Sequence, residues 1–390
     1  MLEEQLATLL EETPASAEGR ERQLREELEA RPGAPVVLYG AGNLGRRTAS
    51  LLRSHGRDVA AFIDNAASLH GTVVDGIKVL SPAEATDRFG AAGVVIVTIW
   101  RAEGGHDFLV TRAELQRRGW RRVESFIPLF WGYGRDALPY ITIGPPSDVL
   151  RARSSVLTAA QLWSDPWSLG QYVGQVRWRL TGDFSALTPP EPDQYFAQGI
   201  VRIGPHEVFV DCGAFTGDTL MEVHRRVGSW RAYHAFEPDP ASFDVLARVT
   251  ASLAPALADH VHLPQAATSD RSGKARFNAS GLAGASLSAG GGLEVDCVTI
   301  DDAVTDAPPT FIKMDIEGAE AAALSGARRA ILDGRPLLAL AAYHRQADLW
   351  ELPLMVHGMA PADRMFLRPH AGEGFDTVLY AVPPERLAAG

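Results

Sequence analysis

Twice along this chain an apolar run ends in a glycine-rich turn and passes straight into a helical pattern: first at PVVLYGAGNLG, then at EVFVDCGAFTGD. Each is a strand, a turn that needs close backbone approach, and a helix start. That order commits both halves to parallel strands joined by right-handed helical crossovers. At 390 residues the chain is long enough for two or three such domains, and 46% hydrophobic content excludes a mostly disordered chain.

No uncharged apolar stretch approaches the roughly 20 residues of a membrane helix. The opening MLEEQLATLLEETPAS places acids where a secretory signal carries a basic flank, so no leader is expected. A net charge of -11 argues against nucleic acid as the main partner. The chain has only two cysteines, Cys212 and Cys297, both inside apolar strand-like runs. They read as reduced core thiols of a cytoplasmic protein and exclude a disulfide framework.

Four regions follow. Residues 1–33 form a helical arm, broken at Thr13-Pro14, in which Leu2, Leu6, Leu9 and Leu10 share a face. That face suits either a partner surface or a solvated chain-end helix. Residues 34–128 alternate strands (PVVLYG, DVAAFID, VVIVTI, RRVESFIP) with helices, which predicts a Rossmann-like doubly wound domain. Residues 129–205 have tryptophans and prolines without strand rhythm and read as a helical linker, with helices over 159–163 and 168–180. This segment serves either an acceptor cleft or an oligomer contact, so a homo-oligomer stays open. Residues 206–390 are a longer α/β alternation with strands EVFVDCGA, RAYHAFEP, VHLPQAAT, PTFIKMDI and PLLALAAYH, closed by an antiparallel pair RMFLRPH and TVLYAVP. The fold class is therefore α/β, with two doubly wound domains.

In the first glycine turn, Gly40, Gly42 and Gly45 have the spacing of a dinucleotide fingerprint, and Asp64 ends the next strand where an acid can hold ribose hydroxyls. A turn that only packs strand on helix would look the same. The wider pattern, with its FIDN and GTVVDGIKVLSP segments, resembles over roughly residues 35–127 the N-terminal domain of PglD-type bacterial sugar acetyltransferases. That resemblance implies a nucleotide-sugar facing Gly40, Gly42 and Asp64 rather than a nicotinamide cofactor.

The second turn has the pattern DxGxxxGD. Gly213 and Gly217 permit close approach and Ala214 lies between them, while Asp211 and Asp218 supply negative charge. S-adenosylmethionine, which carries an ammonium and a sulfonium, suits such a turn better than a diphosphate does. Glu237 ends the second strand where an acid accepts from both ribose hydroxyls; considered alone it could cap the helix entered through Pro238, but the two acidic strand ends together favour the ribose. Gln265 and Ala266 end the third strand where the adenine edge is expected. Lys313, Asp315 and Glu317 alternate with apolar residues and point one way from an extended chain. His344 ends the fifth strand and can take a hydroxyl proton near neutral pH, or serve a structural role.

These segments, DCGAFTGDT, FEPDP, QAATS, FIKMDIEGAEAAALSGAR and RPLLALAAYH with DLWELP, resemble the FkbM-type S-adenosylmethionine-dependent methyltransferases over roughly residues 195–383. The resemblance implies a seven-stranded class I fold ending in a hairpin and O-methylation of a hydroxyl on a sugar or polyketide-like product, with S-adenosylhomocysteine released. It places Asp211, Gly213 and Glu237 at the cofactor and Asp315, Glu317 and His344 near the acceptor. The expected chemistry is in-line transfer with His344 as base, Asp315 or Glu317 orienting it, Lys313 nearby, and no metal. The expected acceptor is a sugar, nucleotide-sugar or glycan. An NAD-linked sugar-nucleotide oxidoreductase or epimerase, resting on the first turn, and a non-catalytic sugar sensor that keeps the fold are the competing readings.

Overall fold

A computed structural model describes residues 1–101, 106–278, 286–287 and 290–387. The chain separates into two compact units. The first is Met1–Ser154, Gly170–Pro190 and Ala371–Phe375; the second is Ser155–Leu169, Glu191–His370 and Asp376–Gly390. The stretch expected as one helical linker is thus shared between the units. Its long helix is Pro166–Thr181, and a shorter one spans Arg153–Ala160.

The first unit is built on β1 (Val36–Tyr39), β2 (Ala61–Ile63), β3 (Val73–Val74), β4 (Ile77–Leu80), β5 (Val94–Val97) and β6 (Val123–Ser125), in spatial order β3-β4-β2-β1-β5-β6. All neighbours run parallel except β3 with β4. VVLY in β1 and VVIV in β5 are buried along their whole length, as strands covered on both faces must be. The expected strand RRVESFIP keeps only its middle. At Phe126 the chain turns into the helix Phe126–Tyr133, whose Pro128 falls in the first turn, where no N–H is needed.

The arm forms three short helices, Leu2–Leu9, Pro14–Glu21 and Gln23–Glu29. Thr13 starts the second by accepting a hydrogen bond from Ser16 N at 3.2 Å. Leu6, Leu10, Leu24 and Leu28 are buried within this unit. Arg20 donates to Leu180 O and Ser147 N donates to Glu21. Of the expected apolar face, Leu6 and Leu10 are thus covered by the chain itself, while Leu2 and Leu9 are half-buried.

The second unit continues with β7 (Val208–Cys212), β8 (Ala232–Phe236), β9 (Val261–His262), β10 (Ala266–Thr268), β11 (Gly273–Asn278), β12 (Ser286–Leu287), β13 (Leu293–Val298), β14 (Phe311–Met314), β15 (Leu337–Ala341), β16 (Arg364–Pro369) and β17 (Thr377–Val382). Seven of them form the main sheet, β16-β17-β15-β14-β7-β8-β9, with β17 antiparallel to both its neighbours. The final antiparallel pair is as expected. The expected strand VHLPQAAT is not one strand: it breaks around Pro264, which has no N–H to give a ladder. Residues after the break, in β10, pair instead with β13 in a separate four-stranded sheet, β10-β13-β11-β12.

Alternate side chains of the main sheet feed two cores. Val210, Ile312, Leu338 and Leu340 pack under helices Glu320–Ser325, Arg328–Gly334 and Asp348–Met359. Phe209, Phe311, Leu337 and Ala339 pack with Leu220, Val223 and Leu246 of the helices Asp218–Val227 and Pro240–Ala251. Both cysteines are buried and unpaired. Among the described residues no helix is long and apolar enough to cross a membrane.

Candidate active site

The order of the main sheet reverses at β7. The helix after it leads to β8 on one side, while β14 lies on the other, so a crevice opens at the carboxyl ends of β7 and β14. The second glycine turn borders this crevice. Gly213 has φ +78°, and a Cβ there would stand 2.0 Å from Asp315 O, so only glycine lets the turn lie against the end of β14. Gly213 N and Ala214 N both donate to Phe236 O at 3.0 Å. Gly217 starts the helix Asp218–Val227 without a side-chain cap, and Asp218 is exposed in its first turn.

Glu237 ends β8 with 6% of its surface exposed. Its carboxylate accepts Phe215 N at 2.8 Å from the glycine turn and Asp239 N at 2.7 Å. Burial pushes its pKa up to about 7, against those two N–H bonds and the Lys313 charge. The capping role that sequence left open for Glu237 belongs to Asp239, whose carboxylate accepts Ala241 N and Ser242 N. Glu237 N donates to Pro264 O at 3.4 Å, so the chain carrying exposed Gln265 and buried Ala266 passes directly beside it.

Asp211 and Lys313 lie beneath the turn. Lys313 Nζ is 3.0 Å from Asp211 Oδ1, donates to Gly213 O at 2.6 Å and sits over the Tyr195 ring. Tyr233 OH donates to Asp211 Oδ2 at 2.7 Å. Burial works to neutralise Lys313, but the charges of Asp211, Asp315 and Asp218 outweigh it and raise its pKa. Both residues are almost wholly buried, so their pairing fixes the turn from below.

Asp315, Glu317 and His344 come together. His344 Nε2 is 3.2 Å from Asp315 Oδ1 and 3.7 Å from Glu317 Oε2, and its Nδ1 is 2.7 Å from Glu320 Oε1. Burial alone would lower the His344 pKa, yet Glu320 and Asp315 raise it well above the ordinary value. Burial likewise works to raise Asp315, but the close approach and charge of His344, with Lys313 and Tyr195, hold it well below the carboxylate range. Burial pushes Glu317 up to about 7. The expected alternation holds for Lys313 and Asp315, which both meet Tyr195. It ends there: Glu317 takes φ +55°, a left-handed conformation that turns its carboxylate onto His344.

Three partners of this cluster escaped the sequence reading. Tyr195 donates its OH to Asp315 Oδ2 from a segment without periodic signal. Glu320 is fully buried and also accepts Ile316 N at 2.9 Å. Asp348, 1% exposed, accepts Arg345 N at 2.7 Å and faces the same group. Glu320 carried a hint, standing three residues after Glu317 in a helix start; the other two carried none.

The first unit has a related arrangement of its own. Gly40 has φ +114°, and a Cβ on Gly45 would stand 1.9 Å from Gly40 O, which gives Gly45 a packing reason. Gly42 is exposed at the helix start. Asp64 accepts Ala41 N at 3.1 Å and Ala66 N at 2.9 Å. Thr98 Oγ1, at the end of β5, donates to Tyr39 O at 3.0 Å beside this turn.

Residues 211–364 match the family model described as the methyltransferase FkbM domain. This stretch is an FkbM-type methyltransferase domain. It begins at Asp211 and contains Glu237, Lys313, Asp315, Glu317, Glu320 and His344. A crystal structure of methyltransferase FkbM from Methylobacillus flagellatus KT is similar in fold over 94% of this chain and 100% of that one, with TM-score 0.75 and 23% identity. A Rex-family repressor, RSP, is 22% identical over 27% of this chain and 51% of its own, and its TM-score of 0.22 is too low to bear on the fold. No curated protein sequence matches the chain.

Proposed function

We propose that the FkbM-type domain transfers a methyl group from S-adenosylmethionine to a hydroxyl of a saccharide or sugar-containing natural product. The observation that carries the cofactor is Glu237. Each of its oxygens accepts one backbone N–H and keeps a lone pair, so the carboxylate can take two further hydrogen bonds from neighbouring ribose hydroxyls. Gly213, having no side chain, lets the turn beside it lie against the end of β14, which brings backbone to the mouth of the crevice. These residues fit the cofactor that the family implies.

When bound, S-adenosylmethionine supplies a methyl group on a sulfonium that is already electrophilic. The chain's own work is then alignment and proton removal. Glu237 holds the ribose, Gln265 and Ala266 border the base, and Ala214, Gly217 and Asp218 line the turn. Asp211 and Lys313 act through the turn they brace. Asp315, Glu317 and His344 face the acceptor: His344 in its neutral form receives the hydroxyl proton, and Asp315 or Glu317 orients the ring or holds the sugar.

The saccharide follows from the first unit, whose turn at Gly40 and Gly42 with Asp64 suits the nucleotide of a nucleotide-sugar. A cytoplasmic setting goes with this reading, since both cysteines are free thiols. Calorimetry with S-adenosylhomocysteine tests the cofactor: we expect heat with the native chain and at least tenfold weaker binding for Glu237→Ala. No heat with either the cofactor or its product, or an unchanged affinity in the variant, overturns it. Turnover across a panel of nucleotide-sugars and glycans tests the acceptor. The same turn and Asp64 also suit NAD, and NADH fluorescence enhancement without methyl transfer would favour an oxidoreductase. Cofactor binding with no turnover on any sugar would favour a sensor.

A further inference from the structure

We propose that His344, Asp315 and Glu317 form a binding site for a divalent cation of the Mn2+ or Mg2+ kind, supported from behind by Glu320 and Tyr195. The inference concerns the same cleft as the proposed methyl transfer but stands on its own geometry. It reverses the expectation of a metal-free site and, with Nε2 on the cation, replaces His344 as the base.

The arrangement around His344 is directional. Glu320 Oε1 lies 2.7 Å from Nδ1 and also accepts Ile316 N, so one side of the ring is tied to a fixed carboxylate. Nε2 points the other way, toward Asp315 Oδ1 at 3.2 Å and Glu317 Oε2 at 3.7 Å. Despite its burial, Nε2 has no hydrogen-bond partner: the approach to Asp315 is close but misaligned. A ring nitrogen nine-tenths buried that faces two carboxylates without an aligned hydrogen bond to either is poorly served by a purely structural role, because buried polar atoms almost always find such bonds. It is well explained as a ligand atom. Bonds of about 2.1–2.2 Å to one cation place neighbouring ligand atoms about 3–3.6 Å apart, which is close to the observed separations.

The surrounding contacts match those that orient metal ligands. A ligating imidazole ordinarily gives its other nitrogen to a carboxylate, as Nδ1 does to Glu320. A ligating carboxylate is ordinarily held through its second oxygen, as Asp315 is by Tyr195 OH on Oδ2, leaving Oδ1 toward His344. Asp315, Glu320 and His344 all offer ligand atoms within 4.8 Å of one another. Glu317, more exposed and turned inward by its positive φ, closes the open side. One imidazole nitrogen with carboxylate oxygens is a hard-to-borderline donor set, which selects Mn2+ or Mg2+ over soft cations. Coordination positions not filled by protein are open to water or to oxygens of the acceptor.

Titrating the full chain with Mn2+ and following the free-ion electron paramagnetic resonance signal tests the site. We expect uptake of one equivalent per chain, competition by Mg2+, and a rise in melting temperature with Mn2+. Asp315→Asn and His344→Gln should each weaken uptake at least tenfold. Glu320→Gln, a positioning change, should weaken it about 10–100-fold. His262→Ala, at the separate His234–His262–Asp306 group, should leave it unchanged. No stoichiometric uptake by the native chain overturns the site even if variants misfold, and so does uptake indifferent to Asp315 and His344. Calorimetry with S-adenosylhomocysteine on the same samples separates the two proposals. Heat without Mn2+ uptake removes the cation site alone, and Mn2+ uptake without heat removes the cofactor reading alone.

Discussion

Glu237 makes the stability of the second unit depend on pH in a way that one substitution isolates. Its folded pKa is pushed up from 4.5 to about 7 by burial. For an acid shifted in that direction, the folded state prefers the neutral form. Its stabilising contribution is complete below about pH 4.5, shrinks as pH rises through about 7, and is lost above that. At about 1.4 kcal/mol per pH unit, ionising this carboxyl in place costs up to about 3 kcal/mol. Lys313, whose pKa is raised, keeps its charge across that window and does not supply the change. Glu237→Gln cannot ionise. It also turns an amide N–H toward one of two backbone donors, a penalty that does not vary with pH. The informative quantity is therefore the difference in melting temperature between native chain and variant, followed from pH 4.5 to 8. At about 2–4 °C per kcal/mol for a domain of this size, the native chain should lose about 6–12 °C relative to the variant over that range. Other groups titrating there are common to both proteins and cancel. A difference that stays flat within about 1 °C would refute the claim that this carboxyl is buried and ionises near neutrality.

Other substitutions test the supports of the cleft. Gly213→Ala forces a positive φ and a Cβ 2.0 Å from Asp315 O, and should lower denaturant stability by at least about 2 kcal/mol. Gly42→Ala, with nothing within 4 Å of its Cβ, should stay within about 0.5 kcal/mol by the same measurement. Lys313→Met leaves Asp211 buried without its cation and should cost about 3–5 kcal/mol in chemical denaturation. Adding Asp211→Asn should recover part of that loss, since the two sites are directly coupled. Thr13→Ala removes the bond to Ser16 N and should cost about 1 kcal/mol in thermal melts of the first unit.

What could be read from sequence was what one stretch of chain determines by itself. β1, β7 and β14 are apolar runs that glycine or an acidic residue terminates, β15 is one that runs on to Tyr343-His344, and all lie where those runs predict. Glu237 was legible because an acid at the end of the second parallel strand is adjacent to the first turn whatever the rest of the chain does. What could not be read was long-range. Nothing in the residues near Asp211 says that its charge is met by Lys313 a hundred positions later. Nothing near Tyr195 says that its hydroxyl reaches Asp315. The insertion of β10 to β13 was hidden for a local reason: Pro264 interrupts a run that otherwise reads as one strand, and its second half pairs with β13, the strand-like run around Cys297. The arm failed in the opposite sense. Its leucine face was legible, but whether chain or partner covers such a face depends on residues far away.

Both units solve one physical problem in the same way. A glycine turn leaving a central strand exposes backbone N–H groups that no strand or helix satisfies. The end of the adjacent parallel strand lies about 4.8 Å away, within reach of a short carboxylate side chain. Asp64 uses one oxygen for Ala41 N and the other for Ala66 N, two residues on; Glu237 does the same with Phe215 N and Asp239 N. In each case the acid rigidifies the turn before any ligand arrives, and what its ionised form presents to the crevice afterwards is acceptor only. Such a group welcomes hydroxyl donors and repels phosphate oxygens placed at the same point. The deeper burial of Glu237 sharpens that preference, because a desolvated carboxylate without its donors has no water to replace them. On the proposed reading, selection at the second crevice is therefore set less by the glycines, which only make room, than by an acid that must find two hydroxyls.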